Sequence, residues 1–147
     1  MSQVFFDELS IPEPTYRLDL RTSDIDAMTP PIRDVVVREQ PDWVLVYGDT
    51  NTTAAGARAA GDTPVAHVEA GLRSFDLSMP EERNRIEVDK LSALLLAPDT
   101  RSAEQLASEG IAGRVEVVGD VMADATRLFE PIARTFAGSS IRCSSSA

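Results

Sequence analysis

The chain has 147 residues, 43% of them hydrophobic, with 24 acidic side chains against 14 basic ones and a net charge of −10. That length fits one domain with its own core, and so negative a surface excludes nucleic acid and anionic membranes as partners, since both would repel it. No apolar run reaches the roughly 18 to 20 residues that cross a bilayer, and the opening MSQVFFDELS carries no basic, cleavable leader, so the cytoplasm is the expected location.

Lys90 is the sole lysine. Acidic, lysine-poor surfaces suit concentrated salt, where repulsion is screened within a few ångströms, so a salt-adapted source is expected. One cysteine, Cys143, excludes a disulfide framework and a thiolate zinc site.

In chain order, residues 4–9 read as a short helix and 11–20 as an extended segment. The Pro30-Pro31 pair is expected to start a helix that residues 34–39 close. Then the pattern becomes regular. WVLVYG (43–48) reads as a strand and the alanine-rich 50–60 as a helix. PVAHVEA (64–70) is a second strand, followed by a helix over 81–90. SALLLAP (92–98) and RVEVVGD (114–120) are strands, each followed by a helix, over 100–109 and about 121–134. Strands alternating with helices imply an α/β fold with a Rossmann-like, doubly wound parallel sheet. The nearly continuous apolar runs suggest strands covered on both faces. Residues 1–136 form the expected domain, and the serine-rich 137–147 a disordered tail.

Four acids close the four strands: Asp49, Glu69, Asp99 and Asp120. Parallel strands bring them to one carboxyl edge, where open α/β sheets bind ligands. Asp99 and Asp120 stand where helices begin and read as N-caps. Asp49 has competitors for that role in Thr50 and Asn51, which frees it for chemistry. Glu69 is harder to assign to structure, because glutamate is a poor N-cap and Ala-Gly follows, small residues that admit a ligand close to backbone.

Glu81 has two readings. Ser78-Met-Pro-Glu81 matches a capping box, and the same carboxylate could serve catalysis. Arg85, four residues on, shares its helix face and could pair with Glu81 or receive a phosphate. His67 lies on the same strand face as Glu69, as a satisfied core histidine or a substrate contact. Neither a dinucleotide nor a P-loop glycine signature is present, and no cofactor or metal is called for.

PDWVLVYGDTNTT, HVEAGLRS, MPEERNR and VVGDVMADA together resemble the non-hydrolysing UDP-N-acetylglucosamine 2-epimerases over about residues 1–130. The resemblance implies one part of a glycosyltransferase-B-like fold, two Rossmann-like domains with the active site between them. It implies interconversion of UDP-N-acetylglucosamine and UDP-N-acetylmannosamine by loss of UDP and re-addition across 2-acetamidoglucal. It assigns catalysis to Asp49, Glu69 and Glu81 and substrate contact to Arg85, and a homodimer for the full-length family.

Departures from the family pattern are also expected to matter. The first strand with its basic nucleotide contact has no counterpart here, nor does the second domain with its catalytic histidine. Lys90 stands where a histidine is common, and the turns at 30–31 and 60–62 are short. The expectation is a partial first domain with little turnover alone. The alternative is a non-catalytic remnant or interaction module of the same fold.

Overall fold

The structure, a computed structural model, describes residues 11–140. The helix expected over 4–9 and the end of the serine-rich tail lie outside those residues. The described elements are α1 (Ile25–Glu39), β1 (Val44–Tyr47), α2 (Asn51–Ala59), β2 (Val65–Val68), α3 (Pro80–Leu91), β3 (Leu94–Ala97), α4 (Thr100–Ser108), β4 (Arg114–Val117) and α5 (Val121–Ser140). Residues 11–20 carry no regular structure. The last helix runs six residues past the expected end at 134, through Gly138 to Ser140, so the start of the expected tail is helical.

The first helix begins earlier than Pro30-Pro31 suggested. Asp24 caps it by accepting the Asp26 N–H at 2.9 Å, so both prolines fall inside the helix. A carboxylate cap satisfies an otherwise orphaned donor, and here it fixes the start a turn before the prolines. Gln40, at φ +46°, ends the helix in the left-handed region just before Pro41.

The strands form one parallel sheet in the order β1-β2-β3-β4. Register places Val46 beside His67, His67 beside Leu95, and Leu95 beside Val115. These residues share one face, because side chains alternate along each strand. Helices α2 to α4 pack there. Val46 and Val65 meet Ala54, Ala57, Ala60 and Val88, while Leu95 and Ala97 meet Leu106, Ala103 and Val115. The alanines of α2 carry little bulk, so that helix lies close against the sheet.

The opposite face is not equally covered. Leu45 and Tyr47 project from it and remain 49% and 59% exposed. The apolar strands therefore read correctly as strands, but among the described residues only one face of β1 is closed. Every connection runs from the carboxyl end of a strand through a helix to the next. Asp49, Glu69, Asp99 and Asp120 all follow strand ends on that edge.

Candidate functional site

The site is built from two strand-end turns and one helix. After β1 the chain turns at Gly48, whose φ of +64° suits glycine. Thr50 then caps α2, accepting from Thr53 N–H. Thr50 thus takes the capping role that competed for Asp49, leaving the Asp49 carboxylate outside the cap. After β2, Glu69 adopts φ +68°, the left-handed region that costs a residue with a Cβ about 1 kcal/mol. A hypothetical Cβ on Gly48 would lie 3.6 Å from Glu69 Oε2, so the glutamate folds back over the neighbouring turn.

Helix α3 supplies the cation. Arg85 Nη2 lies 2.8 Å from Asp49 Oδ2 and 3.7 Å from Glu69 Oε2. Its side chain is 12% exposed, and the two carboxylates 27% and 22%. Arg85 Nε is buried and has no hydrogen-bond partner. An unsatisfied buried donor costs on the order of 1–3 kcal/mol, so this guanidinium is arranged for one more acceptor than the protein gives it.

Glu81 sits one turn earlier on the same helix face and is exposed. The capping-box reading does not form. The N-cap is Met79 with no side-chain cap bond, and the Ser78 hydroxyl donates to Asp76 instead. The Glu81 carboxylate makes no hydrogen bond or ion pair with the described residues. Asp99 and Asp120 do act as caps, accepting from the N–H groups of Ser102 and Met122.

His67 is fully buried. Its Nε2 lies 2.7 Å from the Gly48 carbonyl oxygen and its Nδ1 2.7 Å from Asp89 Oδ1. Both ring nitrogens therefore meet protein partners rather than the cleft, which is the core alternative the sequence left open.

Four residues of the site were not singled out from sequence. Asn84 Nδ2 donates to the Asp49 carbonyl at 3.0 Å and to Asn51 Oδ1 at 2.8 Å, holding the main chain of the β1 turn. Buried Glu82 accepts from Ser74 N–H, Ser74 Oγ–H and Phe75 N–H, fixing the loop before α3, where Phe75 sits at φ +60°. Asp89 Oδ2 accepts from Gly71 N–H at 3.2 Å and Arg73 Nη2 at 2.7 Å. Arg73 is in turn gripped by both oxygens of Glu109, at 2.8 and 2.7 Å. The Arg73 hydrogen bond holds the Glu109 carboxyl below its ordinary range.

The signal that could have found them lies in the composition of α3. PEERNRIEVDKL has too few apolar residues to bury one face, so its sheet side must hide charged groups, which then need partners.

The paired carboxylates and the arginine thus lie at the carboxyl edge of a parallel α/β sheet, the edge where such open sheets bind ligands. Comparison with known proteins narrows the class. The sequence profile described as UDP-N-acetylglucosamine 2-epimerase matches residues 1–144, and the chain belongs to that family. It is 46% identical to the UDP-2,3-diacetamido-2,3-dideoxy-D-glucuronate 2-epimerase of Pseudomonas aeruginosa, over 88% of this chain and 39% of that protein. It is 44% identical to the UDP-N-acetylglucosamine 2-epimerase of Methanocaldococcus jannaschii, over 86% of this chain and 36% of that one.

The crystal structure of the M. jannaschii protein with UDP-GlcNAc and UDP superposes with a TM-score of 0.87 at 42% identity, covering 93% of this chain and 41% of that one. The Neisseria meningitidis UDP-GlcNAc 2-epimerase bound to UDP-GlcNAc gives 0.82 at 33% identity, covering 92% and 39%. The chain thus spans 36% to 41% of the length of these relatives. No helix among the described residues is long and apolar enough to cross a membrane.

Proposed function

We propose that this chain forms the acid–base wall of a UDP-sugar 2-epimerase acting on UDP-N-acetylglucosamine. The observation that carries the reading is Arg85 held between Asp49 and Glu69, with an unpartnered Nε, and Glu81 exposed one turn earlier on the same helix.

The chemistry asks for these groups. A carboxylate removes the C2 proton, and the electron pair forms the C1–C2 double bond as UDP departs from C1, giving 2-acetamidoglucal. UDP then adds back at C1 while a second carboxylic acid delivers a proton to the opposite face of C2. Two acid–base groups on opposite sides of one carbon suffice, and the reaction is redox-neutral. Asp49, Glu69 and Glu81 are the proposed acid–base groups. Arg85 meets the charge of the departing diphosphate, a role its planar fork of donors suits. His67 acts from behind the wall.

Arg85 and Arg73 at this edge are already engaged by carboxylates. The departing UDP carries three negative charges and needs more positive charge than that, preorganised on the other side of the sugar. The 147 residues alone are therefore proposed to turn over slowly or not at all.

The test places this chain in the matched segment of the M. jannaschii protein and follows exchange of the sugar's C2 proton with solvent deuterium. Glu69→Gln should lower the exchange rate by about 100- to 10,000-fold, the usual worth of a positioned acid–base group. Undiminished exchange would remove Glu69 from the mechanism.

A second reading of the substrate rests on the 46% identity to the P. aeruginosa protein. It keeps the C2 chemistry and changes the sugar to the 2,3-diacetamido glucuronate. Running the same assay with both UDP-sugars separates the two.

A further inference from the structure

Behind the site runs a chain of polar groups, buried at His67, Asp89 and Arg73, that joins its two turns. Starting from β1, the Gly48 carbonyl meets His67 Nε2 at 2.7 Å. Across the ring, Nδ1 meets Asp89 Oδ1 at 2.7 Å. The other oxygen of Asp89 takes the Gly71 N–H and Arg73 Nη2, and Glu109 closes the chain on Arg73. His67 and Asp89 are 0% exposed and the Arg73 side chain 2%. Gly48 immediately precedes Asp49, and Gly71 follows Glu69 by two residues.

We infer that His67 and Asp89 are positioning residues that set the separation of the Asp49 and Glu69 carboxylates. The inference rests on the acid–base reading of those two carboxylates, which the strut itself never touches.

The proton inventory follows from the partners. A carbonyl oxygen only accepts, so Nε2 carries a proton. Asp89 Oδ2 accepts from two donors, one of them a guanidinium, which suits a carboxylate. Nδ1 facing that carboxylate therefore carries a proton as well. The chain then runs histidine, aspartate, arginine, glutamate, a donor meeting an acceptor at each link. Such pairing is what makes buried charge tolerable, whereas removing one member strands the next.

The mechanical consequence follows from where the ends attach. Both turns lie in the left-handed region, at φ +64° for Gly48, +68° for Glu69 and +80° for Gly71. Of the three only Glu69 carries a Cβ, so the strain sits there, and such a residue persists only where surrounding contacts hold it. The strut holds one turn by its carbonyl and the other by its N–H. Arg85 then bridges the two carboxylates on the cleft side. The wall is braced front and back, by a dispensable contact that substrate can replace and by a sealed one that it cannot.

The test is magnetic resonance on the isotope-labelled chain as it stands. His67 is the one histidine in the sequence, so its ring signals are unambiguous. The expected spectrum has a slowly exchanging proton on each ring nitrogen, with Nε2–H coupled to the Gly48 carbonyl carbon. A ring with one proton, or protons in free exchange with water, overturns the inference. His67→Gln keeps a donor for Gly48 and cuts the link to Asp89. In it the side-chain carboxyl signals of Asp49 and Glu69 should shift, along with their contacts to Arg85, while those of α1 stay in place. Unmoved carboxyl signals in a folded His67→Gln chain also overturn it. If that variant does not fold, the ring-proton spectrum of the unsubstituted chain decides alone. Neither readout uses substrate, so a failed epimerase assay leaves both results standing.

Discussion

A Cβ built on Gly71 would lie 2.4 Å from the Ser102 carbonyl oxygen and 2.9 Å from Leu106 Cγ, and the residue's φ is +80°. Backbone cannot yield as a flexible side chain would, so no larger residue fits without moving α4 away from the β2 turn. Gly71→Ala should destabilise the chain by roughly 2–4 kcal/mol, combining left-handed strain with overpacking. Urea unfolding followed by circular dichroism reads it, and a loss under 1 kcal/mol would show that the turn has slack. The same contact explains why Ala-Gly follows Glu69. Reading that pair as a place of close approach holds, and at Gly71 the backbone that comes close is that of Ser102. Residue-level expectations succeeded where geometry follows from neighbours in sequence, as at the Asp99 and Asp120 caps. At Glu81 the capping-box alternative does not form, because the loop before it, pinned by Glu82, puts Met79 at the cap position instead.

At the scale of elements, α2 and α3 are tied by Arg58, whose Nε and Nη2 lie 2.5 and 2.9 Å from the two oxygens of Glu87. The Arg58 hydrogen bond holds the Glu87 carboxyl below its ordinary value of 4.5. A depressed folded-state value means the stabilisation is present above that ordinary value and is lost as pH falls through the folded one. Both side chains are about one third exposed, so water screens the pair and its worth is a few tenths to about 1 kcal/mol. Stability should therefore decline below about pH 4.5, and Glu87→Gln should flatten part of that decline. An identical acid limb in the variant would mean that the pair contributes nothing to it. The alternation of strands and helices was legible because each element's period is local. The start of α1 was not, because two prolines signalled one boundary and the Asp24 cap enforced another. The burial of charge on α3 was visible only as an absence of apolar residues, and its partners come from β2, the turns after β1 and β2, and α2. Long-range partners of that kind are invisible to periodicity.

At the scale of the molecule, the sheet explains why the acids meet. Four parallel strands in sequential order carry every strand-end residue to one edge, and one helix crossing behind that edge brings Arg85, Asn84, Glu82 and Asp89 to it together. Fold and family were legible from HVEAGLRS and MPEERNR, while the strut from Gly48 to Glu109 was not. The central claim is that this wall moves the C2 proton once an opposing wall holds the diphosphate. Its most direct test is proton NMR in heavy water with UDP-N-acetylglucosamine, comparing the chain alone with the chain set into the M. jannaschii relative. The account predicts loss of the C2 proton signal, with the manno epimer appearing, in the second sample and not in the first. A folded hybrid that binds UDP yet leaves the C2 proton in place would contradict it.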